Sequence, residues 1–226
     1  DRMFCILPFE VEFFRSLDYP VDYVGNPSVD SVAYYMEKQM VGPDIFREDE
    51  GLDCRPVLAL LAGSRRQEIK DNLPTMLKVA AAYPGYQPVI AGAPGLEPGY
   101  YKQYIGDADV KIVFGKTYPL LSHSDAALVT SGTATLETAL FRVPQVVCYY
   151  VAAGRVASFI FRHFFHTKYI SLVNLIAGRE VVQELFGVRF SYSQIHDELG
   201  RVLNDPAYRN RMLDGYDEMI CLLGKP

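Results

Sequence analysis

Three observations predict an α/β chain built on a Rossmann-like, doubly wound parallel sheet. From residue 56 onward, short β-branched runs alternate with stretches of helical periodicity. The first run, Val57-Leu58-Ala59-Leu60-Leu61, is apolar throughout and lacks the period of two of a half-exposed strand, which suits a strand covered on both faces. Glycines and small hydroxyl residues recur just past the strand runs, where a parallel sheet places its ligand loops.

Taken in order, the elements follow from local chemistry. After the strand at 57–61 a helix is expected with Asp71 or Asn72 as N-cap, Pro74 in its first turn, and Leu73, Met76, Leu77 and Ala80 on one face. Pro84-Gly85 stops it, and a second strand at 88–91 leads into a Gly/Pro-rich loop over 92–99. A third strand is expected at 110–114 with a short helix at 118–122, then a fourth at 126–129 with a helix at 133–141. A fifth strand at 145–149 precedes an aromatic helix near 156–165, and a sixth is expected at 169–172. Helices near 180–186, 194–203 and 207–222 complete the chain.

This organisation gives a sheet domain over 56–204 and a final helix, 205–226, expected to cross to the preceding, N-terminal domain. Residues 1–55 read as the end of a preceding domain and a linker: a strand and turn at 21–27, then a polar connection over 43–56. The N-terminus opens on an apparent strand and lacks the basic and apolar regions of a signal peptide, as expected of a piece of a longer polypeptide.

Net charge is −5, so nothing in the overall balance points to a nucleic-acid partner, while room is left for a local phosphate site. The four cysteines, Cys5, Cys54, Cys148 and Cys221, have no metal-ligand spacing and read as reduced thiols of a cytoplasmic protein. The longest greasy stretch, near 159–165, is interrupted by Arg162 and His163 and falls short of the ~20 apolar residues a span requires.

Three segments carry chemistry. Gly63-Ser64-Arg65, after the first strand, combines a glycine that lets the backbone approach a ligand, a hydroxyl, and a forked cation suited to phosphate. A plain strand-to-helix turn with solvated arginines fits equally well. Thr130-Ser131-Gly132-Thr133, after the fourth strand, places small residues at a helix start, where free N–H groups meet an anion. Glu137 follows one turn later, within reach of a ribose beside such a phosphate; the plain alternative is an N-cap at Ser131 or Thr133 and an ordinary acid. Asn174 and Glu180 flank the expected sixth strand, where a sugar or its phosphate could be bound, or where a polar loop simply caps a helix. Two anion turns in one sheet favour a nucleoside diphosphate over either turn alone.

Other patterns are weaker. Asp107-Ala108-Asp109 has the form of a metal motif but precedes a strand, so it reads as a surface turn, and the four histidines lack zinc spacing. No metal is expected. The aromatic and basic residues between Arg155 and Lys168 suit a helix lying on anionic lipid, though a buried or partner-facing helix is the preferred reading.

Five stretches in order resemble the lipid-A-disaccharide synthases: Ile6-Leu7-Pro8-Phe9-Glu10, Tyr23-Val24-Gly25-Asn26-Pro27, Leu60 to Arg65, Ser131 to Glu137, and Ser171 to Leu185. The resemblance implies the C-terminal, donor-binding portion of a GT-B glycosyltransferase. Its substrates would be a UDP-2,3-diacylglucosamine donor and a glucosamine 1-phosphate lipid acceptor, joined by a β-1,6 link at the cytoplasmic face of the inner membrane. It implies that Gly63, Ser64 and Arg65 meet the diphosphate, with Ser131, Gly132 and Thr133 at the phosphate-facing helix start and Glu137 on the ribose. Gly115, Lys116 and Thr117 would sit near uracil, and Asn174 near the sugar or leaving phosphate. UDP-sugar is then a substrate and no cofactor is needed; a homodimer and an anionic membrane surface remain as partners. The family's acidic base lies in its N-terminal half, so the chain is expected to bind UDP without turnover. Val173, Gln183, Phe186-Gly187 and Asn26 depart from the family's usual residues, and the third of these leaves a donor contact open. Two alternatives stand beside this: a related epimerase or lipid-II-type transferase acting on UDP-N-acetylglucosamine, and a non-catalytic nucleotide-binding module.

Overall fold

A computed structural model describes residues 2–130, 132–151 and 169–224. Six parallel strands form the main sheet: β3 (Val57–Leu61), β4 (Gln87–Gly92), β5 (Lys111–Phe114), β6 (Ala126–Val129), β7 (Gln145–Tyr149) and β8 (Glu184–Phe186). Their spatial order is β5-β4-β3-β6-β7-β8, so the chain builds outward from β3 in one direction and then returns to continue from β6 in the other. That reversal between β3 and β6 is where a doubly wound sheet opens a crevice at its strand ends. Leu58 pairs with Pro88 on one side and Ala126 on the other, so β3 is central. Val57, Leu58, Ala59 and Leu60 are fully buried, as the uninterrupted apolar run requires.

Helices cover the sheet. Helix α4 (Arg66–Ala80) turns Ile69, Leu73, Met76 and Val79 into the core. Helices α5 (Pro98–Ile105), α6 (Thr117–Ser122) and α7 (Thr133–Leu140) follow β4, β5 and β6. Beyond β7 come α8 (Leu172–Ala177), α9 (Tyr192–Asn204) and α10 (Pro206–Leu223). The last helix buries Met212, Tyr216, Met219 and Leu223 against α7 and α8. Its Leu223 carbonyl accepts from the Tyr23 hydroxyl at 2.8 Å, which ties the end of the chain to its beginning.

The first fifty residues hold β1 (Met3–Cys5) and β2 (Val21–Tyr23), paired in parallel, with α1 (Pro8–Arg15), α2 (Pro27–Lys38) and α3 (Pro43–Glu50). Asn26 explains the start of α2: its side chain accepts from Ser28 N and donates to the Ile6 carbonyl. Val29, Val32 and Tyr35 of α2, with Phe46 of α3, join the main core.

Five sequence expectations are corrected. Helix α4 begins at Arg66, not near Asp71, because Glu68 caps its first turn and the buried face already starts at Ile69; Pro74 therefore lies inside the helix. Asn72 is no cap but a buried bridge, donating to the Glu68 carbonyl at 2.7 Å and accepting from Tyr150 N at 2.7 Å. The polar stretch after Pro43 is helical, closed by Gly51 in a left-handed conformation.

The other two corrections concern the end of the sheet. Residues 169–172 are not a strand: Ser171 caps α8, and the N–H groups of Ile170 and Ser171 donate to the Glu184 carboxylate. The helix expected near 180–186 is instead the edge strand β8, whose Glu184, Leu185 and Phe186 align with Val147, Cys148 and Tyr149. The aromatic helix near 156–165, and Ser131, lie outside the described residues.

Candidate functional site

A cavity of about 550 Å³ opens at the C-terminal ends of β3, β4, β6 and β7, lined among others by Gly63, Ser64, Arg65, Thr130, Thr133 and Glu137. It straddles the reversal of strand order. Two turns shape it, each running from a strand end into a helix.

The first turn leaves β3 through Gly63, whose φ of +116° disfavours any side chain. Glu68 reaches back over it: a Cβ built at Gly63 would lie 2.6 Å from both Glu68 Cβ and its Oε2. The carboxylate accepts from Ser64 N at 2.9 Å and Arg65 N at 3.3 Å, and its other oxygen lies 3.7 Å from the Arg65 guanidinium. The first turn of α4 is thus closed by an acid of its own, a capping device in which the third helical residue turns back on the N-cap. Arg65 itself is 82% exposed.

The second turn leaves β6 at Thr130, whose N–H and hydroxyl both donate to the Leu61 carbonyl, at 2.9 and 3.2 Å. That double contact clamps the two turns side by side. Gly132 then adopts φ 121° and ψ −162°, a region open in practice to glycine only, and has no side chain with which to cap α7. Thr133 starts the helix, and Glu137 stands one turn on, facing the cavity.

The Tyr118 hydroxyl donates to Glu137 Oε1 at 2.9 Å. Burial raises the Glu137 carboxyl above its ordinary range, against the lowering effect of that hydrogen bond. Tyr118 is raised too, first by burial and then by the nearby Glu137 charge. The N–H groups at helix starts attract anions, and a carboxylate with a free oxygen accepts from hydroxyls. Side by side, these groups suit a ligand that has both.

Of the residues predicted from sequence, Gly63, Ser64, Arg65, Thr117, Gly132, Thr133 and Glu137 line this one cavity. Others are placed elsewhere. Lys116 pairs with Glu50 of α3, in the turn that Gly115 opens with φ +67°. Asn174 is fully buried, and its amide is taken up by the chain itself. Its nitrogen donates to the Val182 carbonyl and Glu184, and its oxygen accepts from Val181 N and Val182 N. Glu180 accepts from Gln183 at 2.8 Å and lines a separate cleft beside Arg179, Arg201 and Tyr208.

Sequence reasoning missed Glu68, Tyr118 and Tyr149. Glu68 carried a usable signal, a glutamate three residues past a helix start. Tyr118 carried none, because its role depends on α6 lying beside α7. Among the described residues no three His, Cys, Asp or Glu side chains come together as a metal site, and no helix is long and apolar enough to cross a membrane.

Comparison with known proteins follows the same lines. The family described as lipid-A-disaccharide synthetase matches residues 1–214. Proteins named lipid-A-disaccharide synthase align with the whole chain: that of Myxococcus xanthus at 38% identity over 235 residues, and that of Rhodospirillum centenum at 32% over 240. The chain spans 59% and 56% of those two proteins. Among solved structures, the UDP-GlcNAc 2-epimerase of Neisseria meningitidis, bound to UDP-GlcNAc, superposes with a TM-score of 0.63 at 17% identity, over 95% of this chain and 57% of that one. WaaG, a glycosyltransferase involved in lipopolysaccharide biosynthesis, gives 0.56 at 14% identity, over 96% and 57%. At such identities the two structures share the fold alone.

Proposed function

The chain belongs to the lipid-A-disaccharide synthetase family, and from that premise we propose that it is the donor-binding part of an inverting glycosyltransferase. The whole protein would transfer 2,3-diacylglucosamine from UDP to 2,3-diacylglucosamine 1-phosphate, forming the β-1,6 lipid A disaccharide. The observation that carries this reading is the meeting of two glycine-opened turns and a half-buried glutamate in one cavity at the reversal of strand order.

The diphosphate would lie at the open start of α7, within reach of Gly132, Thr133 and the exposed Arg65 side chain, and Glu137 would accept from the ribose hydroxyls. Thr117 would border the base. As the glycosidic bond to UDP breaks, negative charge grows on the departing phosphate, and the partial positive charge at a helix start favours it there. No metal ion is called on in this scheme.

The base that activates the acceptor hydroxyl belongs, on this reading, to the two-fifths of the relatives' length that lies outside the match. The chain alone would then bind UDP without turnover. The intact enzyme would work on the cytoplasmic face of the inner membrane, where both lipid substrates reside.

Calorimetric titration of UDP into the chain, beside a folded Glu137→Ala variant, tests the site. Loss of a hydrogen bond to a charged group predicts affinity about tenfold weaker or more. Equal affinities would remove Glu137 from the ribose, and no binding by the folded parent would remove the site.

A further inference from the structure

The Tyr118 ring is wedged. It meets Tyr35 of α2 edge-on, with centroids 5.8 Å apart, and Phe141 at 5.2 Å. Phe141 lies one helical turn beyond Glu137, so the aromatic contact and the carboxylate come from the same side of α7. Tyr35 and Phe141 also meet each other at 5.7 Å, closing a three-ring cluster. A ring held on two sides cannot swing its hydroxyl away at little cost, so the 2.9 Å bond to Glu137 Oε1 is a fixed feature of the site.

We propose that Tyr118 is a positioning residue: by holding Oε1 of Glu137 it presents the second carboxylate oxygen to the ribose hydroxyls of a bound nucleotide. This rests on the donor-site reading above and deepens it. A glutamate has three rotatable side-chain bonds, and an unrestrained one must be ordered by the ligand at an entropic cost. Here the order is supplied beforehand, by an element that the sequence places 19 residues away. The restraint concerns the ribose only. Among the described residues, no hydrogen bond joins Tyr118 to the phosphate end of the site at Gly63–Arg65 and Gly132–Thr133.

The test compares UDP with 2′,3′-dideoxyuridine diphosphate, titrated into the parent chain, Tyr118→Phe, Glu137→Ala and the double variant. Removing one oxygen from a ring still held by its neighbours leaves the fold intact, checked by thermal melting. Tyr118→Phe is expected to weaken UDP about five- to tenfold while changing the dideoxy nucleotide less than twofold, so the parent's preference for a ribose collapses. In the Glu137→Ala background the same change should have no further effect. A purely structural role would weaken both nucleotides alike and add to Glu137→Ala, and either result overturns the proposal. A parent that binds neither nucleotide overturns the site reading, and this one with it. A parent that prefers UDP, with a Tyr118→Phe variant that keeps the preference, overturns the role of Tyr118 alone.

Discussion

The turns after β3 and β6 occupy equivalent places, adjacent strand ends leading into helices, yet they treat their acidic residues in opposite ways. After β3, Glu68 folds back over Gly63 and takes the N–H groups of Ser64 and Arg65 for itself. After β6, glycine stands at the N-cap, the acid stands five residues past it instead of three, and Tyr118 holds one of its oxygens. The first turn satisfies its own donors. The second keeps its carboxylate available. A shift of two positions in one glutamate along the helix makes the difference. Helix starts are therefore not interchangeable anion sites; what fills them in the folded chain decides which can receive a ligand without rearrangement.

The largest expected contrast is in stability. Both glycines have φ near +120°, so alanine is strained at either, by roughly 1–3 kcal/mol. At Gly63 the new methyl also meets Glu68 at 2.6 Å, whereas at Gly132 nothing lies within 4 Å. Gly63→Ala should therefore cost about 1–3 kcal/mol more than Gly132→Ala in chemical denaturation. Equal losses would show that Glu68 moves aside easily and that the first turn is as open as the second.

A smaller effect concerns affinity. Glu68→Gln keeps a carbonyl oxygen for the cap and removes the charge, so UDP should bind roughly threefold more tightly, the opposite sign to Glu137→Ala. A calorimetric titration showing weaker binding would mean that the charged Glu68 organises the turn for the nucleotide, and the contrast would disappear.

The smallest effect is a pH dependence of stability. Burial lifts the Glu137 carboxyl above 4.5, so its contribution to stability is full below that value and is lost as pH rises through the folded-state value. A glutamine is neutral throughout. Glu137→Gln should therefore melt above the parent near neutral pH, with the advantage vanishing below about pH 4.5, where the parent's carboxyl is protonated in both states. A difference independent of pH would place the effect in packing and not in charge.

Strands β3, β6 and β7 were legible to the residue, since fully covered strands announce themselves as unbroken apolar runs between turn residues. The edge strand β8 was not. Glu184-Leu185-Phe186 is as plausible a helix as a strand, and only pairing with Val147 to Tyr149 decides it. Asn174 shows the same limit at the site: as a polar residue near a strand end it read as a ligand contact. In the fold, four hydrogen bonds to Val181, Val182 and Glu184 make it a pin for the approach to β8. Lys116 likewise read as part of a nucleotide pocket and is paired with Glu50, a residue of a stretch expected to be linker.

What the sequence determined by itself was local and periodic: the alternation of apolar runs with helices, the glycines at strand ends, and the ordered motifs that place the chain in its family. These depend on backbone preference and burial, which neighbouring residues set. What only the tertiary structure decided was which polar side chains are already occupied. Asn174 inside the fold and Tyr118 against Glu137 are pairings made by residues up to 19 apart on different elements. A hydrogen bond depends on positions within a few tenths of an ångström, and no spacing along the chain encodes that.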